Sequence, residues 1–376
     1  MTGPGPAPGP GAPIIGVGGG IGGLAAALAQ ARAGRAVRLL ERSAEFGEVG
    51  AGLHLGPNAT RLLAGWGLLD QMIAAGVLPA RLVFRDARTG EELTHLDLGE
   101  EFRQRDGAPY VVAHRSDLHA ILLGACAEAG VELVTGKHVE RVVNEDGRAR
   151  AYCADGSVHA GSVAVAADGL QSGLRAQLVD DQPHDSGYVA HRGTCPLPEG
   201  FDTSEVVAFL GPECHFVQYA LRGGELLNQV AVFRRPGELE PTFEGCCAEI
   251  GKGLPYLWRD RHWPMLDRPP IGTWVQGRLA LLGDAAHPML QYLAQGACQA
   301  IEDAHALAEA SAGGDWDRAL AAYQEVRAPR TARVQTTARL WGDIWHVDGV
   351  ARVLRNELFR TRDLSSHTYV DWLYGG

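Results

Sequence analysis

The stretch P-I-I-G-V-G-G-G-I-G-G-L-A-A-A-L-A-Q-A-R-A-G-R-A-V-R-L-L-E-R, residues 13–42, decides the fold. Its apolar residues 14–17 predict a buried strand that ends at the glycines, and the Ala/Leu-rich residues 24–32 predict a helix. Residues 36–41 then predict a second strand. Because parallel strands need a crossover helix between them, the stretch predicts a β-turn-α-β unit and an α/β protein.

The glycines between the first strand and the helix match the G-x-G-x-x-G pattern of a dinucleotide site. Such glycines permit a tight turn and a close approach of backbone to a pyrophosphate, and the helix start adds free N–H groups. Glu41 ends the second strand, where a carboxylate can accept hydrogen bonds from both ribose hydroxyls. The predicted contacts along the turn are Gly18, Gly20, Ile21, Gly22 and Gly23. Taken alone, this turn does not separate FAD from NAD.

Two later turns extend the pattern. An apolar strand at residues 163–167 leads into Asp168-Gly169, and a strand at 279–282 leads into Gly283-Asp284 before a helix at 296–312. The three pieces follow one another from residue 18 to residue 284. A single nucleotide motif with two supporting turns predicts FAD, held along one chain.

Composition excludes several classes of protein. The 376-residue chain is long enough for about two domains. A net charge of −11 disfavours nucleic acid and membrane partners, although such a charge also simply keeps a protein soluble. Seven cysteines without metal or disulfide spacing are typical of reduced thiols in the cytoplasm, and no apolar run reaches membrane-spanning length. Residues 1–12, rich in Pro and Gly, predict a disordered tail rather than a targeting peptide.

The pattern also predicts how the chain divides. Residues 58–66 and 116–129 predict helices, the second capped by oxygens of Ser116 and Asp117. Residues 188–233 are strand-like, and Gly223-Gly224 predicts a hairpin. We therefore predict a discontinuous nucleotide-binding domain at 13–78, 105–182 and 270–335. A second domain is predicted at 79–104 and 183–269, and a C-terminal helical segment, containing Trp341 and Trp345, at 336–376.

Four segments together resemble the group A FAD-dependent aromatic hydroxylases, which are flavoprotein monooxygenases: G-G-G-I-G-G…E-R (18–42), H-R-S-D-L-H (114–119), A-A-D-G-L-Q-S-G-L-R (166–175) and L-L-G-D-A-A-H-P (281–288). Segments 47–58, 211–225, 287–297 and 356–366 resemble the members that act on 3-hydroxybenzoate. The likeness implies a p-hydroxybenzoate hydroxylase-like fold. In that fold a Rossmann-like FAD-binding domain carries an inserted antiparallel-sheet substrate domain and C-terminal helices.

The resemblance also implies which residues meet the cofactor. Glu41 would hold the adenosine ribose, Arg42 and Arg115 would flank the FAD, and Asp284 would bond the ribityl chain. For Asp284, an ordinary helix-capping role is the alternative. Asp168 would serve both the FAD and the NAD(P)H regions. A helix beginning near residue 296 would aim its positive dipole at the reduced flavin, an effect of roughly 0.3–2 kcal/mol. The remaining implied contacts are Gly52, Leu53, Val139, Gly296 and Ala297.

The substrate side rests on three side chains. His215 and Tyr219 share one face of a predicted strand, and the resemblance adds Gln291 as an aid to deprotonation. A phenol reacts faster with an electrophilic oxygen once it is a phenolate, so a base with a pKa near neutrality is useful. The residues alone leave a structural histidine as the alternative. His287 is read as structural, and the role of His54, where many relatives carry Gln, stays open.

The implied reaction uses NADH or NADPH and O2 to hydroxylate a small phenolic acid, with 3-hydroxybenzoate to gentisate as the expected case. A decarboxylating reaction on salicylate is the alternative on the same scaffold. A flavin halogenase would want a catalytic lysine and a paired-Trp signature, and neither Lys137 nor Lys252 has such a setting. A flavin-binding sensor without turnover is the third class. A homodimer is expected from the Trp-bearing C-terminal helix and from family habit.

Overall fold

The computed structural model describes residues 11–47 and 51–375 of the chain. Nearly all of the predicted tail, and residues 48–50 of the segment 47–58, lie outside the described residues. The strands are β1 (Ile14–Val17), β2 (Val37–Leu40), β3 (Gly52–Leu55), β4 (Arg81–Asp86), β5 (Glu92–Asp97), β6 (Val111–His114), β7 (Glu132–Val134), β8 (Val139–Glu145), β9 (Arg148–Cys153), β10 (Val158–Gly161), β11 (Val163–Ala166), β12 (His184–Pro196), β13 (Glu205–Gly211), β14 (Cys214–Leu221), β15 (Leu226–Arg234), β16 (Trp263–Asp267), β17 (Val275–Gln276) and β18 (Leu279–Leu281).

The helices alternate with these strands in the first part of the chain and dominate its end. They are α1 (Ile21–Arg32), α2 (Pro57–Gly65), α3 (Leu69–Ala75), α4 (Glu100–Asp106), α5 (Arg115–Glu128), α6 (Leu239–Phe243), α7 (Ala248–Gly253), α8 (Gly296–Ala310), α9 (Trp316–Trp345), α10 (Gly349–Thr361) and α11 (Thr368–Tyr374). No helix in the described part of the chain is long and apolar enough to cross a membrane.

A six-stranded sheet forms the first layer, in the order β17-β18-β11-β1-β2-β7. Its strands run parallel from β18 to β7, and only β17 pairs antiparallel at the edge. The predicted β-turn-α-β unit is confirmed, but α1 begins at Ile21, three residues before its predicted start. Gly20 is extended and acts as N-cap, so the glycines that follow it already belong to the first helical turn.

A seven-stranded sheet forms the second layer, in the order β16-β12-β15-β14-β13-β4-β5. The predicted hairpin at Gly223-Gly224 is confirmed as the connection between β14 and β15. Most pairings are antiparallel, as expected for the inserted sheet, while β13 and β4 pair parallel. Strand β4 enters this sheet from a distant part of the chain. The fold is the predicted α/β arrangement with an inserted sheet and C-terminal helices.

Two predicted boundaries fall inside helices. Position 104 lies within α4, and position 335 lies within the 30-residue helix α9. Helix α9 therefore runs unbroken from one predicted segment into the next, and the division into domains stays a prediction. The C-terminal helices pack back on earlier elements: Arg352 of α10 forms an ion pair with Asp86 of β4 at 2.9 Å.

The predicted cap of α5 is wrong. The helix begins at Arg115, and the imidazole Nδ1 of His114 accepts a hydrogen bond from the Ser116 backbone N–H at 3.3 Å. Ser116 and Asp117 lie in the first turn instead. The Asp117 carboxylate forms an ion pair with Arg222 at 2.9 Å. A histidine seldom caps a helix, so the sequence pattern gave the role to the nearest Ser-Asp pair.

Candidate active site

The carboxyl ends of β1, β11 and β18 lie side by side, because these strands are neighbours in the parallel sheet. Gly18 follows β1, Asp168 follows β11 and the Gly283–Ala285 turn follows β18. Three turns far apart in sequence thus meet at one edge of the sheet. Ligands of open α/β sheets bind at this edge.

The glycines of the first turn have two different roles. Gly18 has φ of +103°, and a methyl group there would lie 2.4 Å from the carbonyl oxygen of Ala167. A methyl group at Gly23 would lie 1.8 Å from the carbonyl oxygen of Gly18. A methyl group at Gly20 would meet no atom within 4 Å. Gly18 and Gly23 therefore serve packing, whereas Gly20 borders open space in front of the helix.

Helix α1 offers backbone donors to that space. The first turn of an α-helix has N–H groups without helical partners, and here it contains Ile21 and Gly22. A methyl group at Gly22 would lie 3.1 Å from Leu282, so this glycine also lets the helix approach β18. The arrangement is suited to an anionic pyrophosphate.

Glu41 lies beside the glycine turn, as predicted. Its Oε2 accepts a hydrogen bond from the Gly19 backbone N–H at 2.6 Å, and its Oε1 accepts one from Ser43 at 2.8 Å. The Lys137 N–H donates to the Glu41 carbonyl at 2.8 Å, which places the start of β8, with Val139, near the same strand end. Val139 itself is buried in the core. Arg42 is exposed, and Arg115 opens helix α5.

Asp168 is tied into its own turn. Its carboxylate accepts hydrogen bonds from the Ser172 hydroxyl at 2.6 Å and from the Leu174 N–H at 3.3 Å. Burial raises the pKa of Asp168 above its ordinary value, against the opposing effect of these bonds. Gly169 has φ of +84°, and its Cα faces open space. The carboxylate therefore shapes the turn, and the backbone beside it is accessible.

Asp284 is exposed and stands next to the start of α8. A methyl group at Gly296 would have Asp284 Oδ1 at 3.9 Å as its nearest atom. The N-cap of α8 is Gln295, so Asp284 does not cap the helix. The helix begins at Gly296, as predicted, and Ala297 follows in its first turn. An exposed carboxylate and the positive end of a helix thus lie beside each other.

A buried network holds the Asp284 turn in place. The Asp303 carboxylate accepts hydrogen bonds from the Gly283 N–H at 3.0 Å and from Arg327 at 2.7 Å, and it lies 2.6 Å from His287 Nε2. Burial by itself would raise the pKa of Asp303, but the neighbouring His287 and Arg327 side chains outweigh it and lower that pKa to about 2. His287 is buried within this network, and its role is structural.

The second half of the site is one face of the seven-stranded sheet. His215, Val217 and Tyr219 alternate along β14, so their side chains share a face. Both His215 and Tyr219 are buried. Among the described residues, the side chains of His215, Tyr219 and Gln291 form no direct hydrogen bond with one another. His215 and Gln291 each have another hydrogen-bond partner, and the Tyr219 ring packs on His54.

His215 pairs with a second histidine. Its Nδ1 lies 2.8 Å from Nε2 of His346, which ends helix α9, and the two rings stack. Trp345 and Tyr292 contact its other sides. Burial lowers the pKa of His215 well below its ordinary value and that of His346 to about 3. Both imidazoles are therefore neutral at physiological pH. The pKa of His215 lies below the near-neutral value that the sequence led us to expect of a base, because the imidazole is buried. His346 is a partner that the sequence pattern did not indicate.

Tyr219 lies against the strand that carries Gly52. A methyl group at Gly52 would lie 2.4 Å from the Tyr219 hydroxyl, and the Tyr219 ring meets His54 edge-on at 4.6 Å. His54 Nδ1 lies 2.8 Å from the Tyr110 hydroxyl, and burial lowers the pKa of His54 to about 4. Leu53 lies between Gly52 and His54 on β3. His54 therefore belongs to the wall between the predicted cofactor and substrate regions.

Gln291 lies opposite the sheet, in a short 3-10 turn at Gln291–Leu293. Its Oε1 accepts a hydrogen bond from Arg192 of β12 at 3.1 Å. Sequence reasoning missed Arg192, because its place beside Gln291 depends on the register of β12 in the sheet.

Comparisons with known proteins agree with this geometry. A family model described as an FAD binding domain matches residues 12–193 and 259–338. The 3-hydroxybenzoate 6-hydroxylase of Polaromonas naphthalenivorans is 40% identical, over 96% of this chain and 96% of that protein. The enzyme of the same name from Klebsiella oxytoca is 38% identical, over 96% of this chain and 95% of that protein. The chain belongs to the FAD-dependent aromatic hydroxylases.

Solved structures place this hydroxylase in the same fold. The crystal structure of Klebsiella pneumoniae HpxO complexed with FAD and uric acid superposes with a TM-score of 0.85 and 26% identity. The match covers 93% of each chain.

The residues at the strand ends of this hydroxylase fit FAD. A methyl group on Gly20 or Gly169 would meet no atom within 4 Å, and one on Gly296 would have its nearest atom at 3.9 Å, so the backbone of these strand-end segments is accessible. Helices α1 and α8 begin at or directly after two of them, and the carboxylates of Glu41 and Asp284 lie beside them. Backbone donors suit the pyrophosphate, and carboxylates suit ribose and ribityl hydroxyls.

Proposed function

We propose that this hydroxylase converts 3-hydroxybenzoate to gentisate, with NADH or NADPH and O2 as co-substrates. The observation that carries the proposal is the contact between Gly52 and the Tyr219 hydroxyl. It joins the face that bears His215 and Tyr219 to the strand expected at the flavin. The relatives named above, at 40% and 38% identity, bear the matching name.

The glycine turn after β1, Glu41 and Asp284 would hold FAD. When bound, FAD would supply the redox chemistry, namely acceptance of a hydride from the nicotinamide and delivery of oxygen from O2 in an electrophilic form. The side chains of the chain prepare the aromatic ring. His215 accepts the phenol proton at Nε2, which requires that its Nδ1–H donates to Nε2 of His346. A neutral His346 is that acceptor, since its pKa of about 3 keeps it unprotonated. The phenolate directs the new hydroxyl to the para carbon.

Tyr219 and Gln291 orient the ring. The Tyr219 hydroxyl keeps its proton because burial raises its pKa, so it acts as a hydrogen-bond donor. Gln291 is fixed by Arg192 through its Oε1, which leaves its NH2 group to donate to the phenolate oxygen. Burial of Tyr219 limits the access of water to this side of the ring.

Product identification tests the proposal. The enzyme is loaded with FAD and given NADH or NADPH, O2 and each of 3-hydroxybenzoate, 4-hydroxybenzoate and salicylate. We expect gentisate from 3-hydroxybenzoate, formed in equal amount to the nicotinamide oxidised. Catechol from salicylate, with no gentisate from 3-hydroxybenzoate, would contradict it and establish the decarboxylating reaction.

The assembly and location are proposed to be a cytoplasmic homodimer. All seven cysteines are free, which suits a reducing compartment. Helix α10 exposes Val350, Val353, Leu354 and Leu358 at helical spacing, each between 60% and 76% exposed. An apolar stripe of this kind is typical of a helix that packs on another subunit. Light scattering of the purified protein, and of Leu354→Glu, tests the dimer: the variant should be a monomer.

A further inference from the structure

Arg192 occupies the centre of the substrate face. It pairs with Val230 across β12 and β15, and Val230 pairs with Val217 across β15 and β14. Residues in direct register point to the same side of a sheet, so Arg192 shares the face of His215 and Tyr219. The guanidinium also lies over Trp263, with its carbon 5.6 Å from the ring centroid.

Among the described residues, this guanidinium has no carboxylate partner. It donates one side-chain hydrogen bond there, to the neutral amide of Gln291, and its Nε is buried without an acceptor in the same part of the chain. Within residues 11–47 and 51–375, no carboxylate oxygen lies within 4 Å of Arg192. The buried guanidiniums of Arg175 and Arg327 each meet an aspartate at 2.7 Å. Burial lowers the pKa of Arg192, so its charge is held at a cost.

A second donor on the same face also lacks an acceptor. Asn228 is fully buried on β15, two residues from Val230 and diagonal to Arg192. Its Oδ1 accepts a hydrogen bond from the Gly52 N–H at 2.9 Å, which fixes the amide orientation. Its Nδ2 is buried without a partner. Diagonal neighbours in an antiparallel pair lie about 7–8 Å apart, within the span of one small anion and two side chains.

We propose that Arg192 and Asn228 bind the carboxylate of the aromatic substrate. A carboxylate has only acceptor sites, so it satisfies both orphaned donors and neutralises the guanidinium. The hydroxyl then points along the face to His215. The inference rests on the proposed function only in taking an aromatic acid as the substrate.

The test compares an acid with its neutral amide in Arg192→Gln, Arg192→Lys and the wild-type holoenzyme. The ligands are 3-hydroxybenzoate and 3-hydroxybenzamide, and binding is read from the perturbed flavin absorbance. We expect Arg192→Gln to weaken acid binding on the order of 100-fold and amide binding less than about threefold. Arg192→Lys should recover part of the affinity for the acid. Arg261→Gln removes an exposed positive charge nearby, and should leave both affinities within about twofold.

Each other result overturns the proposal. Equal losses for acid and amide in Arg192→Gln would make Arg192 a structural residue or an organiser of Gln291. Unchanged acid binding with a lower kcat for both ligands would assign it to the phenolate. If 3-hydroxybenzoate gives no product, the same acid and amide comparison with benzoate and salicylate still decides the carboxylate site. If the wild-type enzyme binds no acid more tightly than the corresponding amide, the proposed carboxylate site is ruled out.

Discussion

The two halves of the active site are built in opposite ways. The strand-end half uses backbone N–H groups, glycines and an exposed carboxylate, and its parts follow directly after β1, β11 and β18. The sheet-face half uses buried side chains of β14 and α9, together with the half-buried Arg192 of β12 and Gln291. A common cofactor needs a backbone cradle that any relative can share. A particular substrate needs side chains, and these depend on strand register.

The largest effect is expected within the strand-end half. Gly23→Ala places a methyl group 1.8 Å from the Gly18 carbonyl oxygen, so we expect a loss of about 4 kcal/mol or more in the free energy of unfolding. Gly20→Ala meets no atom within 4 Å and should change that energy by less than about 1 kcal/mol, while weakening FAD binding at least about tenfold.

Urea unfolding of the apoprotein and titration with FAD measure the two effects. Gly124→Ala is the control, because this glycine lies in α5 with open space around it. It should stabilise the protein by about 0.5–1 kcal/mol. Equal destabilisation by Gly20→Ala and Gly23→Ala would show that the two glycines do not differ in role.

His54, in the wall between the two halves, leads us to expect that the stability of the protein depends on pH. The pKa of His54 is about 4 in the folded protein and about 6.5 when unfolded, so between these values the unfolded state binds more protons. The free energy of unfolding therefore rises with pH across this window, by about 3 kcal/mol from this group.

His54→Gln should flatten the rise, as measured by urea unfolding at pH 4 to 7. His138→Gln, which removes an exposed imidazole, should leave the curve unchanged. A curve that keeps its full slope in His54→Gln would show that the imidazole is not held neutral in the fold.

The sheet-face half should respond in rate rather than in stability. His215→Gln removes the base and should lower kcat with 3-hydroxybenzoate about 100-fold, with FAD binding unchanged. Raising the pH towards the pKa of the phenol, about 10, should restore part of the rate, because the substrate then ionises unaided. His184→Gln, at an exposed histidine, is the matched control. A kcat that falls without any recovery at high pH would remove His215 from the role of base.

The smallest effect is expected at Asp284. Asp284→Asn should weaken FAD binding about tenfold through loss of a charged acceptor for a hydroxyl. The free energy of unfolding of the apoprotein should stay within about 0.5 kcal/mol, since the carboxylate is exposed and caps no helix. Fluorescence titration with FAD and urea unfolding give the two numbers. A large loss of apoprotein stability would return Asp284 to a structural role.

The sequence predicted the strand-end half well because its signals are local. Strand β1, the glycines and Glu41 lie within 30 residues, and each turn directly follows an apolar strand. The sheet-face half was predicted only in part. Alternation placed His215 and Tyr219 on one face, but His346 lies 131 positions from His215 and meets it only through the packing of α9.

The positions of Arg192 and His54 were harder to predict from sequence for the same reason. The orientation of Arg192 follows from pairing across two strands, and the contact of His54 with Tyr219 follows from how β3 meets the second sheet. The cap of α5 failed for a different cause, since the His114 imidazole took the place of a Ser or Asp oxygen. Helices α4 and α9 cross the predicted domain boundaries because tertiary packing, which the local sequence does not show, stabilises a helix along its whole length.

Helix α9 spans roughly 45 Å, with Pro329 in its interior. In its first half Arg327 donates to the Asp303 carboxylate that binds the Gly283 N–H, and in its second half Gln335 donates to the Pro288 carbonyl at 3.0 Å. Its last turn brings Trp345 and His346 against His215. A shift of α9 along its axis would therefore disturb its contacts at the Gly283 turn and its contacts with His215 together. Substrate preference is therefore most easily changed by substitutions that alter side chains on the sheet face and leave the position of α9 unchanged.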